Sequence, residues 1–216
     1  MNRLGRHPYL CLITSGETNP ANFEDHKSSI LSTVRDAVDD GIDLIQIREK
    51  ALSGKQLYEL ANEVVRALKD TSALVLINDR PDVAVASGAH GVHLPEASLP
   101  PSVVRRAFGE DLVIGVSTHS IESALNVSTS GADYLFFGPL FETPGKGIPA
   151  GLEELEKLCR SVAPFPVLAL GGVNEANAGE VFATGAAGLA AIRSMNEKES
   201  RRSICKTAQA FKAALR

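Results

Sequence analysis

Pro166-Val167-Leu168-Ala169-Leu170-Gly171-Gly172, then Thr184-Gly185-Ala186-Ala187-Gly188 and the run Leu189-Ala190-Ala191-Ile192, is the stretch that decides the fold. Short, wholly apolar runs bounded by glycine read as strands covered on both faces, as in a parallel sheet. Each run closes on a turn that bares the backbone. In a (β/α)8 barrel the loops after strands seven and eight are where phosphate is most often held, by backbone N–H groups and a helix N-terminus. A Cβ at Gly171 or Gly172 would hinder that approach. This end of the chain therefore implies a phosphorylated small-molecule ligand, although tight turning alone would account for any one of these glycines.

Working back from this stretch, strand and helix patterns alternate through the chain. Strands are expected at 9–14, 43–48, 73–78, 90–94, 112–117, 133–139, 166–171 and 188–193, with a final helix near 199–215. Leu57, Leu60, Ala61, Val64, Val65 and Leu68 mark one apolar helix face, and Ser53 is a suitable N-cap for it. One punctuation recurs: Asp40-Gly41-Ile42, Ser87-Gly88-Ala89, Ser130-Gly131-Ala132 and Thr184-Gly185-Ala186. Each glycine sits where a helix should end in the left-handed conformation before the next strand. Eight strands joined by such turns imply a single-domain (β/α)8 TIM barrel over residues 1–216, not an open doubly wound sheet. The 216 residues suit that fold.

Composition excludes several classes of function. A net charge of −4 offers no basic excess for nucleic acid. No run approaches 18 apolar residues, so no membrane span is expected. Met1 to Tyr9 is polar and lacks an apolar core, so no signal peptide is expected either. Cys11, Cys159 and Cys205 are odd in number and far apart, and read as reduced core residues of a cytoplasmic protein.

Catalytic groups of a barrel come from the C-terminal ends of its strands. After strand two, Gln46, Arg48 and Lys50 share one parity, and two cations with an amide facing the mouth would call for an anionic ligand. The alternative leaves Arg48 and Lys50 past the strand end, in solvent. After strand three, Asp79 is placed either to hold Mg²⁺ or to cap the helix that begins at Pro81. His93 on strand four is as well explained by structure as by catalysis. After strand five, Ser117 and His119 share a parity, and His119 is the best general acid/base in the chain, since histidine titrates near neutral pH. His7, His26 and His90 fall away from strand ends. The Gly/Pro-rich segment 138–147 carries Thr143 and Lys146 three residues apart, suited to closing over a phosphate or diphosphate.

These motifs resemble the thiamine phosphate synthase/TenI family. The resemblance rests on QIREK (46–50), INDRPDVAVASGAHGVHL (77–94), IGVSTHS (114–120), GADYLFFGPLFETPGK (131–146) and LALGGVNEANAGEVFATGAAGLAAI (168–192). It implies the barrel, thiazole phosphate as a ligand and a role in thiamine biosynthesis. The synthase joins hydroxymethylpyrimidine diphosphate to thiazole phosphate. The resemblance to it implies Gln46, Arg48, Lys50, Asn78 and Lys146 as contacts of diphosphate and pyrimidine, with Asp79 for Mg²⁺. It also implies Ser117 at the pyrimidine or diphosphate, and Thr143, Gly171 and Gly172 near the thiazole phosphate. In the TenI branch, a thiazole tautomerase, the histidine of the STHS segment moves a proton, which assigns that role to His119.

Three departures from the synthase pattern stand out. Ser98 occupies the position of the second Mg²⁺ carboxylate, with Glu96 as its nearest substitute. The phosphate-loop motif reads Thr143-Pro144-Gly145-Lys146, one hydroxyl short. Arg193 replaces the usual serine of the last phosphate-binding strand, where a guanidinium can still grip phosphate. Because leaving of the diphosphate most needs the metal, these departures place a TenI-type tautomerase with no metal cofactor ahead of an Mg²⁺-dependent synthase. A non-catalytic thiazole or thiamine phosphate binder comes third. The partners expected are small phosphorylated thiazole and pyrimidine diphosphate substrates, not nucleic acid or membrane, and a homodimer is compatible with the chain.

Overall fold

The computed structural model of the protein describes residues 8–214. Eight strands alternate with helices: β1 (Tyr9–Ile13), α1 (Phe23–Asp40), β2 (Leu44–Ile47), α2 (Gly54–Leu68), β3 (Leu74–Asn78), α3 (Pro81–Ser87), β4 (Gly91–Leu94), α4 (Pro101–Phe108), β5 (Val113–Thr118), α5 (Ile121–Ser128), β6 (Tyr134–Phe137), α6 (Gly151–Val162), β7 (Val167–Leu170), α7 (Ala178–Ala183), β8 (Gly188–Ala191), α8 (Arg193–Asn196) and α9 (Lys198–Ala214). Every strand is parallel to its neighbours in sequence order, and β1 pairs with β8 through Tyr9↔Gly188, Leu10↔Leu189, Cys11↔Ala190 and Leu12↔Ala191. The sheet is a closed barrel, as expected.

Local chemistry explains where the elements begin and end. In α2, Leu57, Leu60, Ala61, Val64 and Leu68 are buried on one face. Ser53 caps its start with a full capping box, its hydroxyl accepting from the Gln56 N–H and the Gln56 side chain accepting from the Ser53 N–H. Gly41, Gly88, Gly131 and Gly185 all have positive φ where a helical segment gives way to the next strand. Seven of the eight strands are shorter than expected, and β5 keeps its expected length but starts one residue later, at Val113. β8 stops at Ala191, and Arg193 opens the short helix α8 instead of ending a strand. Residue 215 of the expected last helix lies outside the described residues.

The core has two shells. Outward-facing residues such as Leu12, Ile45, Ile77 and Leu189 meet the helices, while Tyr9, Cys11, Leu76, Phe136, Leu168 and Ala190 fill the barrel. The closing helix α9 lies beside α1. Arg201, only 1% exposed, bonds Asp40 and the Met195 carbonyl, Arg202 shares Asp40, and Lys198 reaches Asp36 at 3.0 Å. Burial alone would push the Asp40 carboxyl up, but the guanidinium bonds from Arg202 and Arg201 outweigh it and hold the group below its ordinary value.

Candidate functional site

The C-terminal ends of the strands gather most of the expected side chains at one mouth. Gln46, 2% exposed, donates to the Asn78 side-chain carbonyl at 3.1 Å. Its own Oε1 is buried and has no partner among the described residues. Such an acceptor is costly unless a ligand donor meets it. The parity argument for strand two holds at Gln46 and then fails. β2 ends at Ile47, Arg48 is half-buried, and Lys50 lies exposed in a turn. Between them Glu49, which the sequence reading passed over, is 3% exposed and accepts the N–H groups of Gly16 (3.1 Å) and Thr18 (2.9 Å). It ties the β1–α1 loop to the mouth. Thr14 helps by accepting the Arg48 N–H at 2.9 Å.

Asp79 takes the left-handed conformation, φ 56°, unusual for a residue with a side chain. It is not a helix cap, because α3 shows no side-chain cap bond and starts at Pro81. Its carboxylate accepts the Ser98 hydroxyl, which brings Ser98 directly beside Asp79. Glu96 is exposed in the same loop. No group of three or more His, Cys, Asp and Glu is arranged for a metal among the described residues. One carboxylate with a hydroxyl still suits Mg²⁺, which commonly binds through one or two carboxylates, waters and substrate phosphate oxygens. Ser98 and Glu96 also line a cavity of about 360 Å³ on the outer flank of the barrel; Val116 in that cavity faces the helices, not the mouth.

On the far side, His119 lies just past β5 and donates Nδ1–H to the Gly138 carbonyl, and its Nε2 makes no hydrogen bond among the described residues. Gly171 (φ 99°) and Gly172 (φ 68°) follow β7. A Cβ on them would lie 2.7 Å from Pro139 Cα and from Phe141 Cβ respectively. Their glycine identity is thus demanded first by the 138–150 loop folded against them, with Leu140 N donating to Leu170 O and Phe141 N to Gly171 O. Ser194 of α8 donates to the Val173 carbonyl at 2.8 Å, which stitches the β7 and β8 loops together, and Asn177 braces the β7 loop by donating to the Gly172 carbonyl at 3.0 Å. Neither residue was singled out in the sequence. Thr143 is spent on the Phe141 carbonyl at 3.0 Å. Lys50, Lys146 and Arg193 are exposed, and their side chains make no hydrogen bond or ion pair among the described residues.

Beneath the mouth, His93 is 2% exposed, and burial pushes its pKa down to about 3, so it is neutral. His90 sits at the opposite end of the barrel, where its Nδ1 accepts the Val75 N–H.

Residues 10–195 match the family model described as thiamine monophosphate synthase. A thiamine-phosphate synthase of Chlorobium luteolum is 38% identical over 196 residues, 89% of this chain and 87% of that relative. A protein of Geobacter sulfurreducens called a putative thiamine-phosphate synthase is 42% identical over 166 residues, covering 76% of this chain and 78% of its own. Among solved structures, thiamine phosphate pyrophosphorylase from Pyrococcus furiosus superposes with a TM-score of 0.82 at 32% identity, over 94% of this chain and 96% of that one. These relatives reverse the order inferred from Ser98: the synthase reading stands ahead of the tautomerase. The match spans the barrel almost from end to end, and the chain belongs to the thiamine monophosphate synthase family.

Proposed function

We propose that this chain is a thiamine-phosphate synthase, joining hydroxymethylpyrimidine diphosphate to thiazole phosphate. The observation that carries the reading is the Asp79–Ser98 contact next to the Gln46–Asn78 pair, a carboxylate-and-amide corner at the barrel mouth. In the reaction the C–O bond between the pyrimidine methylene and the diphosphate breaks, its electron pair leaving with oxygen, and the thiazole nitrogen forms the new C–N bond. Mg²⁺ held by Asp79, with Ser98 and substrate oxygens, would neutralise charge on the departing diphosphate.

The chain's own groups divide the remaining work. Arg48, Lys50 and Lys146 surround the diphosphate with positive charge, and the exposure of both lysines suits groups that wait for an anion. The bare Oε1 of Gln46 accepts from the pyrimidine amino group, with Asn78 holding the amide in place. Ser117 contacts the pyrimidine or its diphosphate. Gly171, Gly172 and Thr143, with Arg193 at the start of α8, form the region for the thiazole phosphate.

His119 supports a second reading. An imidazole anchored through Nδ1–H presents a basic Nε2, as a proton-moving tautomerase requires. Incubating the purified protein with both substrates and Mg²⁺, and separately with the carboxylated thiazole tautomer, decides between them. The synthase reading expects thiamine phosphate and inorganic diphosphate in equal amounts; tautomer conversion without condensation would overturn it.

A further inference from the structure

Inside the barrel, directly under Ser117, three side chains form a closed line. The Tyr134 phenol lies 3.1 Å from His93 Nδ1, and His93 Nε2 lies 2.9 Å from Ser117 Oγ. Phe136 stacks on the imidazole at 4.1 Å between centroids and holds its plane. Gly115 opens the slot: a Cβ there would come 2.3 Å from the Tyr134 oxygen and 2.6 Å from His93 Nδ1. Tyr134 is fully buried, and Ser117 is half-buried at the upper end.

A neutral imidazole carries one N–H and one bare nitrogen, so the line has two arrangements. If Nδ1 donates to the phenol, the phenol's own hydrogen is buried without an acceptor among the described residues, and an unsatisfied buried donor is the expensive case. If the phenol donates to Nδ1, the proton of the imidazole is on Nε2 and goes to Ser117 Oγ. The Ser117 hydrogen, with no acceptor among the described residues, is then free for a ligand at the mouth.

We infer that Tyr134 and His93 are positioning residues that fix Ser117 as a hydrogen-bond donor toward the substrate, so that the mouth selects an acceptor at that point: a pyrimidine ring nitrogen or a diphosphate oxygen. The inference rests on the proposed synthase reaction for the identity of the ligand, and on the barrel interior for the direction of the line. The low pKa of His93 agrees with it, because a neutral imidazole is what the line requires.

¹⁵N NMR of the ring nitrogens at pH 7, with kinetics of three variants, tests this. Protonated Nε2 and bare Nδ1 are expected in the wild type. Tyr134→Phe should keep the fold but raise KM for the pyrimidine diphosphate about three- to tenfold, the worth of one ordinary hydrogen bond, with little change in kcat. His93→Gln, which keeps a donor for Ser117, should retain more affinity than His93→Leu. A proton on Nδ1, a charged ring, or an unchanged KM in Tyr134→Phe overturns the inference. If the wild type formed no thiamine phosphate, the proposed reaction would fall, while the ring-nitrogen signals would still decide the direction of the line.

Discussion

Single residues carry the clearest chemistry. Asp79 and Ser98 already touch, so Ser98→Asp places a second carboxylate where a hydroxyl now stands. If the synthase reading holds, that substitution should tighten Mg²⁺ on the order of tenfold, one 1.4 kcal/mol step, and Asp79→Ala should abolish turnover. Mg²⁺ dependence of diphosphate release measures both, and activity indifferent to both would rule out this metal corner. His93 makes a different prediction. Its pKa falls from the usual 6.5 to about 3 on burial, so between those values the unfolded chain holds the proton and the folded chain does not. Stability contributed by the neutral ring is therefore present above pH 6.5 and lost as pH falls toward 3, with a slope of up to roughly 1.4 kcal/mol per pH unit. Denaturant unfolding across that range should show the slope in the wild type and a flatter one in His93→Gln. Gln46 was legible because period-two alternation is a local property, whereas Arg48 and Lys50 lie past the end of β2, where that alternation no longer applies. Glu49 was not legible, because its partners Gly16 and Thr18 lie more than thirty positions away and no periodicity announces a clamp.

Elements were read well where a rule of chemistry acts within one turn. The capping box of α2 needs only Ser53 and Gln56, and the left-handed glycines need only the next strand. Ser53→Ala should cost about 1 kcal/mol, seen as a lower denaturation midpoint without change of slope. Where tertiary contacts set the end of an element, sequence was a poorer guide. Arg193 follows the apolar run of β8 without a break in pattern, yet the chain turns there because α8 must bring Ser194 to the Val173 carbonyl. Gly171 and Gly172 show the same limit: a backbone-baring turn after β7 was legible, but the loop that packs on them was not.

At the scale of the whole molecule, the α1–α9 clasp is the long-range electrostatic contact with most at stake. Asp40 serves two guanidiniums, one buried and one half-exposed. Asp40→Ala would strand Arg201 in the interior and should cost on the order of 3 kcal/mol. Arg202→Ala removes only the exposed partner, which solvent screens, and should cost far less. Guanidinium unfolding of the two variants separates these values, and equal losses would show that the buried arginine has another anchor.

The ring itself has a kinetic consequence. Seven of its eight strand pairings join neighbours along the chain, whereas the eighth, β1 with β8, must bring Tyr9 to Gly188 across nearly the full sequence. Loop-closure entropy makes that seam the most expensive contact to form early. Assembly should therefore run as a growing open sheet that zips shut last. Leu10→Ala, at the seam, should then speed unfolding while leaving the folding rate nearly unchanged, and Leu76→Ala, on β3 inside the sheet, should slow folding. Stopped-flow rates for the two variants would reveal whether the barrel is made by closure or by collapse.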